Sequence, residues 1–287
     1  MLKVSLTHDI DRIAKTYQNL THPMKYALRG NIRGAAGSIL NVHRWRSIYW
    51  NIEDIMEMEN QFGVKSTFFF LNESIPFQLF NFRNWPLSLG RYSLNEKRVV
   101  EAIKTLDSRG WEIGLHGSYR SFSDKRLLAD EKSELERILG RPVVGIRQHY
   151  LNLDEPDTWV MQQDLGFEYD ASYGYTRSIG FKGQRVRPFK PFGAKDFVVF
   201  PLQIMDFCFM ETPNNMTRFR EICTEVDKNN AVLVLNWHND VFSEVDFPGY
   251  RHAYSTLIQE FLAMGAEIKP LGKWMVDSKV EVDTLKN

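Results

Sequence analysis

Short apolar runs alternate along the whole chain with longer segments in which apolar residues recur every three or four positions. The runs predict strands at Val4–Leu6, Ser66–Leu71, Glu112–Leu115, Val143–Arg147, Phe197–Phe200 and Ala231–Trp237, with a weaker one at Glu267–Lys269. The helical spacing predicts helices over Ile52–Gln61, Asn95–Ser108, Asp124–Leu139, Pro156–Leu165, Met216–Asn229 and Tyr254–Met264. Gly110, Gly140, Gly166 and Gly265 stand where such helices should stop. Strand and helix in repeated succession predict an α/β fold, a parallel sheet with helices outside, open or closed into a barrel.

In folds of this kind the reacting groups gather at the carboxyl ends of the strands. The first run is followed by His8-Asp9-Ile10-Asp11 and the third by His116-Gly117-Ser118-Tyr119. The fourth leads into Arg147-Gln148-His149-Tyr150 and the sixth into His238-Asn239-Asp240. Of 7 histidines, only His22, His43 and His252 fall outside these windows. Two carboxylates and several imidazoles at one mouth are the ligand types for zinc or a similar divalent ion, with an acid and a base to spare. Such an ion activates water and polarises a carbonyl, so acyl hydrolysis is the natural use.

Composition narrows the setting. A length of 287 residues suits one α/β barrel, here a single domain spanning 1–287 with insertions at about 16–49 and 72–92. The balance of 36 basic and 36 acidic residues gives no overall charge to attract nucleic acid. Within 12–52, however, stand Arg12, Lys15, Lys25, Arg29, Arg33, Arg44 and Arg46 with no acidic residue, a positive stretch suited to a phosphate-bearing substrate or peripheral contact with an anionic membrane. A solvated helical surface is the plainer reading of the same charges. No apolar run reaches the roughly 18 residues of a membrane span. Cys208 and Cys223 match no zinc or disulfide framework, and the alternation of Leu2, Val4 and Leu6 leaves no room for a signal core, so the expected location is the cytoplasm or the inner face of its membrane.

The order of an acidic motif, a histidine motif, an arginine motif and a last apolar strand ending in histidine resembles the polysaccharide deacetylase family, the NodB-homology carbohydrate esterases. The resemblance implies a distorted (β/α)7 barrel of NodB type. It also implies a divalent metal, zinc above all, with cobalt, nickel or manganese as substitutes. The family's Thr-Phe-Asp-Asp-Gly motif falls on Thr7-His8-Asp9-Ile10-Asp11, which makes Asp9 the general base and Asp11, displaced by one residue, a ligand. Its second motif carries two histidines four residues apart. Here His116 is followed by Arg120 at the second position, and a guanidinium cannot be a ligand. Its arginine motif falls on Arg147-Gln148-His149-Tyr150, with Arg147 orienting Asp9 and an imidazole where the family has proline. The expected metal shell is therefore Asp11, His116 and His149, with Ser118 a weaker candidate.

Val234-Leu235-Asn236-Trp237-His238 matches the family's final motif and makes His238 the general acid. Tyr150, through its backbone N–H, Ser118, Trp237 and Asp206 are expected at the substrate, and His8 is expected to be structural. The activity so implied is metal-dependent removal of an acyl group, most simply N-acetyl, from a sugar of a surface-glycan precursor. Two alternatives stand beside it: hydrolysis of another non-peptide C–N bond on the same barrel, and a non-catalytic carbohydrate-binding protein.

Overall fold

The computed structural model describes residues 1–16, 48–81, 84–191 and 197–275, with 28, 30, 277 and 280–284. Most of the basic stretch, and with it His22 and His43, lies outside the described residues. The strands are β1 (Lys3–Ile10), β2 (Thr67–Leu71), β3 (Glu112–Gly117), β4 (Gly145–Gln148), β5 (Tyr169–Asp170), β6 (Phe189–Lys190), β7 (Val198–Val199), β8 (Ile204–Met205), β9 (Val232–Asn236), β10 (Glu267–Ile268) and β11 (Asp283–Thr284). They form an 11-stranded sheet in the order β11-β6-β7-β5-β4-β3-β2-β1-β9-β8, with β10 added to β1. All pairings are parallel except that of β6 with β7. An isolated parallel bridge between Gly174 and Leu202 spans the seam between the β5 side and the β8 side. The result is a distorted (β/α)7 barrel.

Helices Ile52–Gln61, Lys97–Ser108, Lys125–Leu139, Asp157–Asp164, Asn215–Lys228 and Tyr250–Ala263 match the six predicted ones, the last starting a turn earlier. Among the described residues no helix is long and apolar enough to cross a membrane. The 72–92 segment is an irregular loop carrying the short helix Trp85–Ser88.

The period of two in a strand divides the core. Val4, Leu6 and Ile10 of β1, Phe68 and Phe70 of β2 and Leu233 and Leu235 of β9 pack outward under the helices. Phe69, Val232 and Val234 point inward with Tyr169, Phe200 and Trp274. Gly145 is required where it stands, because a Cβ there would lie 2.1 Å from the Tyr169 ring. Aromatic rings thus fill part of the barrel, and Thr7, Asp9, Arg147 and Asn236 follow at the carboxyl ends of the strands.

β1 runs through Ile10, beyond the predicted Leu6. Its polar residues are not the start of a loop. Thr7 and Asp9 continue the inward face, while His8 points outward, fully buried, with Nδ1 at 2.7 Å from the Trp237 carbonyl and Nε2 at 2.9 Å from Glu59 and 3.1 Å from the Tyr254 hydroxyl.

Candidate active site

Alternation and register bring the inward residues together. Thr7 is paired with Asn236 across β1 and β9, and His116 with Arg147 across β3 and β4. Arg147 is fully buried. Its Nε donates to the Ala171 carbonyl at 2.9 Å, and its Nη1 donates to Thr7 Oγ1 at 2.8 Å, Asp9 Oδ1 at 2.9 Å and Asn236 Oδ1 at 2.8 Å. The Asn236 amide donates to the other Asp9 oxygen at 2.7 Å. Asp9 is therefore fixed in position and in charge. Burial pushes its carboxyl upward, but the Arg147 guanidinium, aided by His116 and His238, outweighs burial and holds it below the usual carboxylate range.

Beside Asp9, ligand atoms of Asp11, His116 and His149 lie within 4.8 Å of one another. His116 Nε2 stands 3.1 Å from Asp11 Oδ1, and His149 Nε2 stands 3.4 Å from Asp11 Oδ2. A tetrahedron with bonds of about 2.0–2.1 Å has edges of roughly 3.3 Å, so these spacings fit a small divalent cation. Asp11 Oδ1 is moreover buried without a hydrogen-bond partner among the described residues, which suits an atom that ligates a cation. His116 Nδ1 lies 2.8 Å from the Arg147 carbonyl, which fixes its proton there and turns the Nε2 lone pair toward Asp11. The three residues can hold a divalent metal.

His238 stands beside Asp9, its Nε2 3.8 Å from Asp9 Oδ2. Its backbone N–H and its Nδ1 both meet Asp206 Oδ2, at 2.7 and 2.8 Å. Burial opposes charge on this imidazole, but the Asp206 carboxylate overrides it and holds His238 well above the ordinary histidine value. His238 accordingly stays protonated to higher pH than a free histidine. Asp206→Asn is expected to move the alkaline limb of any His238-dependent activity to lower pH, a shift read directly from the pH profile of kcat/KM.

Three of the residues expected at the substrate are enclosed in the structure. Asp206 is fully buried, with Oδ1 taken by the Phe207 N–H at 2.6 Å and Oδ2 by His238, so it positions that imidazole from behind. Trp237 points outward, opposite to Asn236, and is fully buried against Phe209, Tyr250 and Tyr254. Ser118 is enclosed, its N–H donating 3.1 Å to Glu131 Oε2. Tyr150 does stand at the rim, 49% exposed, its ring centroid 4.4 Å from that of His149. Tyr150 and Leu151 both adopt left-handed backbone, φ 59° and 55°, at a cost of about 1–2 kcal/mol each. This bend leaves His149 buried and Tyr150 outside. Arg120 is exposed in the turn after β3.

Sequence reasoning missed Asn236, Thr7 and Glu73. Asn236 interrupts an apolar strand at an inward position. Glu73 follows β2 at the second residue past its end, in a stretch with no periodic pattern.

No protein-family model matches the sequence, and no curated protein matches it by sequence. Solved structures do match. A protein assigned as a polysaccharide deacetylase from Mycobacterium smegmatis aligns over 100% of this chain and 94% of its own, with a TM-score of 0.60 at 17% identity. The PuuE allantoinase aligns over 95% of this chain and 88% of its own, with a TM-score of 0.58 at 13% identity. A 4-alpha-glucanotransferase from Thermococcus litoralis aligns over 100% of this chain but 42% of its own, with a TM-score of 0.55 at 13% identity. At these identities the likeness is one of fold. The chain thus has the distorted (β/α)7 barrel of the NodB-type polysaccharide deacetylases, as a divergent representative of that fold.

Proposed function

We propose that the protein is a metal-dependent hydrolase that removes an acyl group, N-acetyl in the simplest case, from a sugar of a surface-glycan precursor. The observation that carries this reading is the convergence of Asp11, His116 and His149 ligand atoms, with Asp9 Oδ2 3.9 Å from His116 Nε2 and 3.8 Å from His238 Nε2 at the same mouth. A divalent ion such as zinc, when bound there, would polarise the acyl carbonyl and lower the pKa of water. Asp11, His116 and His149 would hold it.

The chain's own residues supply the proton transfers. Asp9 Oδ2, ionised and pinned by Asn236, accepts a proton from the attacking water, and Arg147 keeps that carboxylate oriented through Oδ1. His238 Nε2, protonated through Asp206, delivers a proton to the departing nitrogen. The two groups act in opposite charge states at neutral pH because one faces a guanidinium and the other a carboxylate. Both are held by buried hydrogen bonds, so little reorganisation accompanies the reaction.

In the stretch 12–52, Arg12 and Lys15 are buried, Lys15 against Asp246, and the composition of the remainder supports a phosphate-linked precursor at the cytoplasmic membrane face. Arg91 adds to it at the rim, donating 3.2 Å to the Asp11 carbonyl. Acetate release from N-acetylhexosamines in free, nucleotide-linked and lipid-linked form tests the reading. Release abolished by chelation and restored by zinc is expected. Turnover of cyclic amides with none of the acetylated sugars would replace this reading by the other C–N hydrolase, and no turnover of either would favour a binding protein.

A further inference from the structure

His149 poses a problem that His116 does not. An imidazole that offers Nε2 to a cation must keep its proton on Nδ1, and that proton needs an acceptor. For His116 the acceptor is the Arg147 carbonyl at 2.8 Å. His149 Nδ1 is buried with no hydrogen-bond partner among the described residues. The carboxylate facing it is Glu73, whose Oε2 lies 3.7 Å away and whose side chain is 1% exposed.

Glu73 is preorganised for that contact. Its Oε1 accepts the backbone N–H groups of Ser74 and Ile75, both at 3.1 Å, which closes the loop after β2 on its own side chain. Its Oε2 accepts the Tyr119 N–H at 2.9 Å. Tyr119 precedes Arg120, the position at which the deacetylase resemblance leads one to look for a second imidazole. One carboxylate thus anchors the turn that lacks the histidine and faces the histidine that stands in the metal group. The His149 ring packs against the Tyr150 ring, the centroids 4.4 Å apart.

We propose that Glu73 is the positioning residue for His149: it holds the Nδ1–H form, aims Nε2 at the Asp11 side, and so allows the third ligand to come from the end of β4 instead of the turn after β3. The proposal rests on the metal reading of the site. Glu73 touches neither substrate nor reacting atoms.

The test compares the parent with Glu73→Gln and Glu73→Ala. Glutamine keeps an acceptor for the loop N–H groups while removing the charge, and unchanged thermal unfolding of the stripped protein verifies that the loop is intact. Zinc affinity measured by competition with a chromophoric chelator is expected to fall about 10- to 100-fold in both variants, as for loss of other carboxylate partners of ligating histidines. Equal affinity in all three proteins would overturn the proposal. Nitrogen-15 NMR of the histidines, at a pH where His149 is neutral, judges it without metal. An Nδ1–H ring in the parent that changes population in Glu73→Gln supports the brace, and an identical ring state in both overturns it. A parent that binds no zinc would instead defeat the metal reading, leaving the NMR comparison to decide on Glu73.

Discussion

Replacing Asp9 by asparagine is expected to lower kcat by about 10²- to 10⁴-fold, the usual contribution of a positioned general base. The variant should still bind metal, since Asp11, His116 and His149 are untouched. KM should change little, because the lost interaction belongs to the proton transfer and not to substrate binding. The substitution also has a structural cost that can be assigned in advance. Asp9 accepts from Arg147 at one oxygen and from Asn236 at the other, and asparagine has only one acceptor oxygen. One buried donor then meets an N–H₂ group, which costs about 1–3 kcal/mol. Steady-state kinetics, metal content and thermal unfolding on one preparation separate these effects. A variant with parental kcat would remove Asp9 from the mechanism.

His149→Ala is expected to act through the metal. It removes one of three ligands, so zinc affinity should fall by more than the about 10- to 100-fold caused by loss of an outer partner. At a zinc concentration about 100 times its dissociation constant, the parent gains roughly 2.7 kcal/mol of stability from binding. The variant should show almost none of that gain, read as the difference in unfolding midpoint with and without zinc. The affinity of the parent should also rise with pH. Burial opposes charge on His116, but Asp9 and Asp11 raise its pKa above the ordinary value, and that proton must leave before the nitrogen can ligate. Zinc binding as tight in His149→Ala as in the parent would return the third ligand to another residue.

The legible part of the site was that governed by simple periodicity. Asp9, His116 and Arg147 share the inner face because alternate residues of a strand do, and strand ends in α/β folds converge on one mouth. Reading the ends of four strands therefore gathered most of the group from sequence. The same periodicity misled where it was not followed through. Trp237, between two inward residues, had to point outward, and its large ring fills the helix layer. Asp206 follows a two-residue strand, β8, too short to show a pattern, so its contact with His238 emerges only from the pairing of β8 with β9.

Glu73 was obscured for a different reason. It opens the irregular 72–92 segment, where neither helical nor strand period gives a direction to a side chain, and its partners lie 46 residues away at Tyr119 and farther still at His149. Of the larger insertion the ends are described, with residues 28 and 30. There Lys15 donates 2.6 Å to Asp246 and Tyr49 donates 2.7 Å to the other oxygen of the same carboxylate, tying both ends to the loop after β9. Charge in that stretch was legible as composition, and its placement was not.

The central claim is that Asp11, His116 and His149 together hold one divalent cation. Anomalous diffraction at the zinc edge, from crystals stripped with chelator and then soaked in zinc, tests it most directly. One peak about 2.0–2.2 Å from a carboxylate oxygen of Asp11 and from Nε2 of both histidines is predicted. No peak at the mouth, or a peak ligated without His149, would contradict the account.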